Sequence, residues 1–188
     1  MASILKVDKI VDSGSNVLAT SSGSGHTIAS GATFPPGHVL NVVSVMKSDS
    51  FTQNPSSAWI DITGFSVTIT PKNTSSKILV MTHVQGGGAT GTNSAHFRIL
   101  RGATAVGVGD QEGSNRKRAS STGMHHDGWT IASSSFTFLD TPASVSLLTY
   151  KVQVFSNNTV WINRGQAHAD DSTTTTNAST LTLMEIAG

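Results

Sequence analysis

The chain of 188 residues contains no cysteine. That excludes a disulfide framework and a thiolate zinc site. It leaves the compartment open, because a domain of this size folds without disulfides. Charge is also scarce. Only 12% of residues are Asp, Glu, Lys or Arg and the net charge is +1, against about 25% charged residues in typical soluble domains. Such a surface has no basic excess to attract nucleic acid and no acidic one either, so no nucleic-acid partner is expected. No apolar run approaches the ~20 residues that span a bilayer as a helix, so no membrane insertion is expected. The N-terminus has no long apolar segment of the signal-peptide kind and carries Lys6, Asp8 and Lys9 where one would lie. Synthesis in the cytoplasm of the producing cell is the expectation. No convincing amphipathic helix is present either.

What is present is alternation. In residues 58–84, Ile60 and Ile62 alternate with Asp61 and Thr63, and after Gly64 the alternation resumes one residue out of phase with Phe65, Val67 and Ile69. A period of two is that of a half-buried strand, and a phase slip at glycine predicts a bulge or bend. Pro71, which has no N–H to donate, ends the ladder. Residues 72–76 are polar and predict a turn, and the nearly continuous apolar run 78–84 predicts a central strand covered on both sides.

Further strands are expected at 3–11, 17–19, 39–46, 95–101, 104–108, 129–131 with 134–139, 145–155, 159–163 and 179–186, with 145–155 the longest. Asn157-Asn158 predicts a hairpin turn. Residues 20–25 read as a flexible Ser/Gly linker, 26–36 as loop, 47–57 as a polar loop and 85–94 as a mobile Gly-rich loop. Residues 109–128 form the longest irregular segment, of a length that is usually functional or mobile. The recurrence of about eight to ten strands at ~8–12-residue spacing predicts an all-β fold, a jelly-roll β-sandwich over 39–188, preceded by a short extended attachment and linker segment over 1–38.

No constellation for catalysis is found. No serine lies in Gly-x-Ser-x-Gly at a strand-to-helix turn, and Asp110 with Glu112 is the close acidic pair of the long outer loop. Gly86-Gly87-Gly88 and Gly107-x-Gly109 lack the following helix of a phosphate loop. The chain is therefore expected not to be an enzyme, and to have no cofactor and no metal. The two histidine groups, His125-His126-Asp127 and His168 with Asp170 and Asp171, lack a third ligand at metal spacing and read as exposed loop residues, although one His per chain could ring the axis of an oligomer. Arg116-Lys117-Arg118 is the only basic cluster: a contact for an acidic surface, or a solvated loop tip. Among the aromatics, Trp59 and Trp161 lie in strands and are expected in the core or an interface, whereas Trp129 follows the long loop and is the better outer contact. Arg116, Lys117, Arg118 and Trp129 are the candidate receptor contacts.

The opening Ser-Ile-Leu-Lys-Val-Asp-Lys-Ile of residues 3–10, followed by Ser13-Gly14-Ser15-Asn16-Val17-Leu18, resembles the N-terminal attachment segment of tail-fibre and other structural proteins of marine tailed phages. Trp59–Gly64, Ser75–Val80, Arg98–Gly102 and Leu181–Ile186 resemble the globular part of phage proteins of the same kind. A linker feeding a jelly roll whose last strand ends the chain also resembles the trimeric C1q and tumour-necrosis-factor heads. The resemblance implies a virion structural protein, made in the host cytoplasm: a homotrimeric tail-fibre or adhesin knob contributing to host attachment. The alternatives are a capsid decoration (head fibre) protein and a secreted carbohydrate-binding module. The expected partners are copies of the chain, other virion proteins and a host-surface glycan. Ile4, Leu5, Val7 and Ile10 would anchor to the particle, and Leu183 and Ile186 on the apolar last strand would form the trimer interface.

Overall fold

The computed structural model describes residues 8–11, 13–15, 17–21, 25–28, 34–88, 95–124, 131–167 and 169–188. The chain divides into two compact units, Met1–Pro35 and Pro36–Gly188. The described residues are all-β.

The first unit holds β1 (Lys9–Val11), β2 (Val17–Ser21) and β3 (His26–Ile28) in an antiparallel sheet of order β1-β2-β3. Its chemistry is sparse: Ser, Thr and Gly alternate with few apolar residues, and the described side chains of β1 are all exposed. The linker and loop expected over 20–36 are thus strand in part, since β2 runs to Ser21 and β3 takes 26–28. Backbone pairing holds a Ser/Thr-rich strand that side-chain pattern alone does not announce.

The second unit is an antiparallel sandwich. Its strands are β4 (Val39–Lys47), β5 (Phe51–Gln53), β6 (Trp59–Ile69), β7 (Lys77–Gly88), β8 (Ala95–Arg101), β9 (Thr104–Val106), β10 (Ser121–Met124), β11 (Ala132–Asp140), β12 (Leu148–Phe155), β13 (Val160–Ile162) and β14 (Ser179–Ile186). One sheet runs β10-β8-β12-β6, with β9 on β8; the other runs β4-β14-β7-β13-β5, with β11 also on β7. One apolar cluster lies between them, built from Ile62, Phe65 and Ile69 of β6, Phe97 and Ile99 of β8 and Tyr150, Val152 and Val154 of β12 against Ile78, Val80 and Val84 of β7 and Leu181 and Leu183 of β14.

The bulge expected at Gly64 is there. Gly64 has φ +76°, and the pairing of β12 with β6 jumps from Lys151↔Ser66 to Gln153↔Asp61. The extra residues restore phase: Ile62 and Phe65, three apart, both point inward. An L side chain at that φ is strained, so glycine absorbs the slip. The ladder ends at Ile69, two residues before Pro71.

Four expectations are corrected. The run 78–84 is buried on one face only, because Leu79, Met81 and His83 of β7 are half-buried on the outer side. The longest strand is β7, with 12 residues, not the stretch before Asn157. Gln85 to Gly88 belong to β7 rather than to a loop, and Gly86 and Gly87 pair with Ile162 and Trp161. Asn157-Asn158 is no hairpin: β12 and β13 lie in different sheets, so the chain crosses the sandwich there.

Candidate functional site on the outer faces of the sandwich

With the inner faces filled, the side chains open to other molecules lie on the outer faces and the loops. On the β10-β8-β12-β6 sheet, the inward phase of β12 (Tyr150, Val152, Val154) leaves Lys151, Gln153 and Phe155 outward. Register sets their neighbours. Phe155 faces His96 and Trp59, and Gln153 faces Arg98 and Asp61. These residues form one connected cluster. Arg98 Nε donates to Gln153 Oε1 at 2.8 Å, Gln153 Nε2 donates to Asp61 Oδ1 at 2.6 Å and Lys151 Nζ donates to Asp61 Oδ2 at 2.7 Å. The Arg98 guanidinium lies 4.3 Å from the centroid of the Trp59 ring, close enough for a cation–π contact. Trp59 tilts against Phe155 at 5.5 Å, and Phe155 against His96 at 6.0 Å.

The electrostatics follow from this packing. Burial opposes ionisation of Asp61, but the hydrogen bonds from Lys151 and Gln153 outweigh it and hold the carboxyl below the usual carboxylate range. Burial pushes the His96 imidazole down, which favours its neutral form. Burial lowers the Arg98 guanidinium too, with the Asp61 charge opposing.

The basic loop meets this cluster at one point. The loop 107–120 is closed at its base by Gly109 N–H donating to Ala119 O at 3.3 Å, and Ser120 N–H donates to Phe97 O at 2.8 Å. Arg118 Nε donates to Gly109 O at 2.6 Å, and Arg116 pairs with Glu112. Both are committed to the loop itself. Lys117 instead places its ammonium 5.7 Å from the Phe155 ring centroid. The remaining part of the irregular segment expected over 109–128 contains β10, and His125, His126, Asp127 and Trp129 lie outside the described residues, as does His168. Among the described residues, no three His, Asp or Glu gather at metal spacing.

The opposite outer face has different chemistry. Across the ladder, Val42, Met184, Leu79 and Leu139 stand directly opposite one another on β4, β14, β7 and β11. They make an apolar row across four strands, with Val42 50% and Leu139 49% exposed. Val39, at 54%, pairs with Ile186 at one side, and Met46, at 65%, lies at the other. The next rows are mostly polar, with one methionine each: Ser44, Thr182, Met81 and Thr137, then Met46, Thr180, His83 and Ser135.

Of the residues expected at an interface, Ile186 lies on this outward side and Leu183 does not. Leu183 is fully buried in the sandwich core, because it shares the inward phase of Leu181. The outward apolar residue beside it is Met184. Of the expected anchoring residues, Ile4, Leu5 and Val7 lie outside the described residues, and Ile10 is exposed on β1. Trp59, expected in the core or an interface, is half-buried on the outer face under Arg98. Arg98, Asp61, Gln153 and Phe155 carry no motif. The only sequence signal for them is that each occupies the outward phase of a strand whose inward phase is apolar.

No protein-family model matches this sequence, and no curated protein matches it.

Proposed function

We propose that the chain is a non-enzymatic structural protein of a tailed-phage virion, a homotrimeric adhesin knob whose N-terminal segment attaches to the particle and whose sandwich is a jelly roll. Strand order supports the jelly roll. Counting β4, β6, β7, β8, β10, β11, β12 and β14 as one to eight, the two sheets read 1-8-3-6 and 2-7-4-5, the interleaving of paired Greek keys. The attachment role rests on the resemblance of residues 3–18 to phage attachment segments and on the separate small sheet formed by the first unit.

The observation that carries the oligomer is the apolar row Val42–Met184–Leu79–Leu139. Four of the six large hydrophobics exposed in the second unit (Val39, Val42, Met46 and Leu139; the others are Val145 and Leu147) gather on that one outer face. Contiguous exposed apolar surface of this kind marks an interaction site, and copies of the chain are its proposed occupant.

Two measurements test the reading. Light scattering of the full chain should give three times the chain mass, and a monomer at micromolar concentration overturns the trimer. Antibodies raised against residues from Val39 onward should label the tails of intact particles in electron micrographs. Label over the capsid would instead make the protein a head decoration, and particles without label would remove the virion role.

A further inference from the structure

We propose that the Trp59–Phe155–Arg98 cluster, together with Lys117, is a binding site for carboxylated saccharides. The inference rests on the adhesin reading only for where the site is displayed.

The site is built rather than incidental. Gln153 is 8% exposed and holds the Arg98 guanidinium through Nε, which fixes the plane of the fork. Asp61 has both oxygens engaged, by Lys151 and by Gln153, so its charge is answered within the sheet. Arg98 and Lys117 have no ion pair among the described residues. Nor do the two terminal nitrogens of Arg98 make a hydrogen bond there. The cluster therefore carries three cations, Arg98, Lys117 and Lys151, against the single carboxylate of Asp61, and this excess of positive charge flanks the Trp59 and Phe155 rings.

That pairing selects a ligand class. A planar guanidinium edge with free donors suits a carboxylate, which it can take in two parallel hydrogen bonds. The adjoining aromatic surface suits the C–H face of a pyranose ring. A neutral sugar would leave the cations unanswered, and a bare anion would not use the rings. Phosphodiester backbones would be drawn by the charge alone, but three cations make only a weak nucleic-acid surface.

The test uses the full chain and two defined probes, oligogalacturonate and sialyllactose, each titrated calorimetrically beside its uncharged methyl ester. At least one acid should bind saturably, and its ester should bind at least about tenfold more weakly, as expected for loss of a charge-assisted contact. Arg98→Ala should weaken the acid at least about tenfold, Lys117→Ala about threefold, and Lys72→Ala, a charge removed elsewhere, not at all. If Arg98→Ala fails to fold, Arg98→Lys replaces it: it keeps the charge and loses the fork, and should still weaken binding measurably. Absence of saturable binding by both acids up to millimolar concentration overturns the proposal. So does equal binding of acid and ester, or of polyglutamate of matching charge, or an effect of Lys72→Ala as large as that of Arg98→Ala. Particle labelling without saccharide binding would remove this site and leave the virion role standing. Saccharide binding without particle labelling would do the reverse.

Discussion

Gly107 gives the sharpest test of how the basic loop is seated. It follows β9, opens the loop 107–120 and has φ +60°. A Cβ built on it would lie 2.5–2.6 Å from three carbons of the Phe138 ring, on the opposite sheet. Gly102, in the tight turn between β8 and β9, has nearly the same backbone, φ +59°, and nothing within 4 Å of its Cβ position. The two glycines thus separate backbone strain from collision. For an L residue the left-handed region costs about 1–2 kcal/mol, and an alanine recovers about 0.4–1 kcal/mol by stiffening the unfolded chain. Gly102→Ala should then cost about 1 kcal/mol. Gly107→Ala carries the same backbone cost plus about 1–3 kcal/mol of overpacking against a ring that is already part of the sandwich.

The assay is urea unfolding followed by tryptophan fluorescence, with both variants compared with the parent. Gly107→Ala should fall below Gly102→Ala by about 1–3 kcal/mol. Combining it with Phe138→Leu should return part of that difference, as a direct contact requires. Equal destabilisation of the two alanine variants, within about 0.5 kcal/mol, would refute the close approach of Gly107 to Phe138. It would also refute the fixed seat from which Lys117 reaches Phe155.

Three further outcomes are expected. Tyr150 is the only tyrosine in the chain, is fully buried and donates its hydroxyl to Asp140 Oδ2 at 2.6 Å, where Arg101 also binds. Burial first, and then the hydrogen bond and charge of Asp140, raise the phenol well above its usual value near 10. The native protein should show no phenolate absorbance rise near pH 10, and a rise there would refute the buried bond. Because the folded value lies above the unfolded one, this contribution to stability is complete below about pH 10 and falls above it; Tyr150→Phe should flatten that fall. Asn163 is buried, and its amide donates to Lys47 O and Asp49 O at 2.8 Å each while its oxygen accepts from Ser179 Oγ. Asn163→Ala removes these three bonds of a buried side chain and should cost about 3 kcal/mol in denaturant unfolding; a cost below about 1 kcal/mol would refute that role. Val42→Asp, on the outer apolar row, should give folded monomer by light scattering, whereas Leu183→Asp, in the core, should abolish cooperative unfolding. A folded trimer from Val42→Asp would sink the proposed interface.

The strands legible in the sequence were those whose two faces differ. In β6, β8 and β12 the inward phase is apolar and the outward phase mostly polar, and even the slip at Gly64 showed itself as a break in period. Strands without that contrast were missed. Gly86 and Gly87 carry no side chain to alternate, yet pair with β13. The short strands β3, β5 and β10 lie in Ser/Thr-rich stretches where backbone pairing, rather than side-chain burial, sets the conformation. The proposed binding cluster was less legible than the fold, for a geometric reason. Trp59, Arg98 and Phe155 are far apart in the chain and meet only through the registers of β12 with β6 and β8. A one-residue slip in either pairing would dissolve the cluster and leave each strand's own pattern unchanged. Lys117 alone was anticipated, as one of three equivalent basic residues, and intraloop pairing of Arg116 and Arg118 is what distinguishes it.

The two outer faces also constrain one another. A sandwich has one inner space and two outward surfaces, and here they differ in kind: an apolar row on the β4-β14-β7-β11 side, a cationic aromatic cluster on the β6-β12-β8 side. If copies pack through the apolar row, the second face must point away from the assembly, because it is the opposite side of the same core. The proposed trimer then displays the Arg98 cluster three times at fixed spacing. A shallow site on an open sheet face binds one saccharide weakly, since it buries little of it. Linked sites on a repetitive glycan surface convert later contacts into intramolecular ones and can raise the overall affinity by about 10² to 10⁴ without any new contact. Val42→Asp should therefore leave calorimetric binding of a free short saccharide unchanged and reduce retention on a glycan-coated surface by at least about tenfold. Equal losses in both assays would mean that the substitution had damaged the site itself. Equal retention in both would mean that the faces act independently, and the link between assembly and recognition would fall.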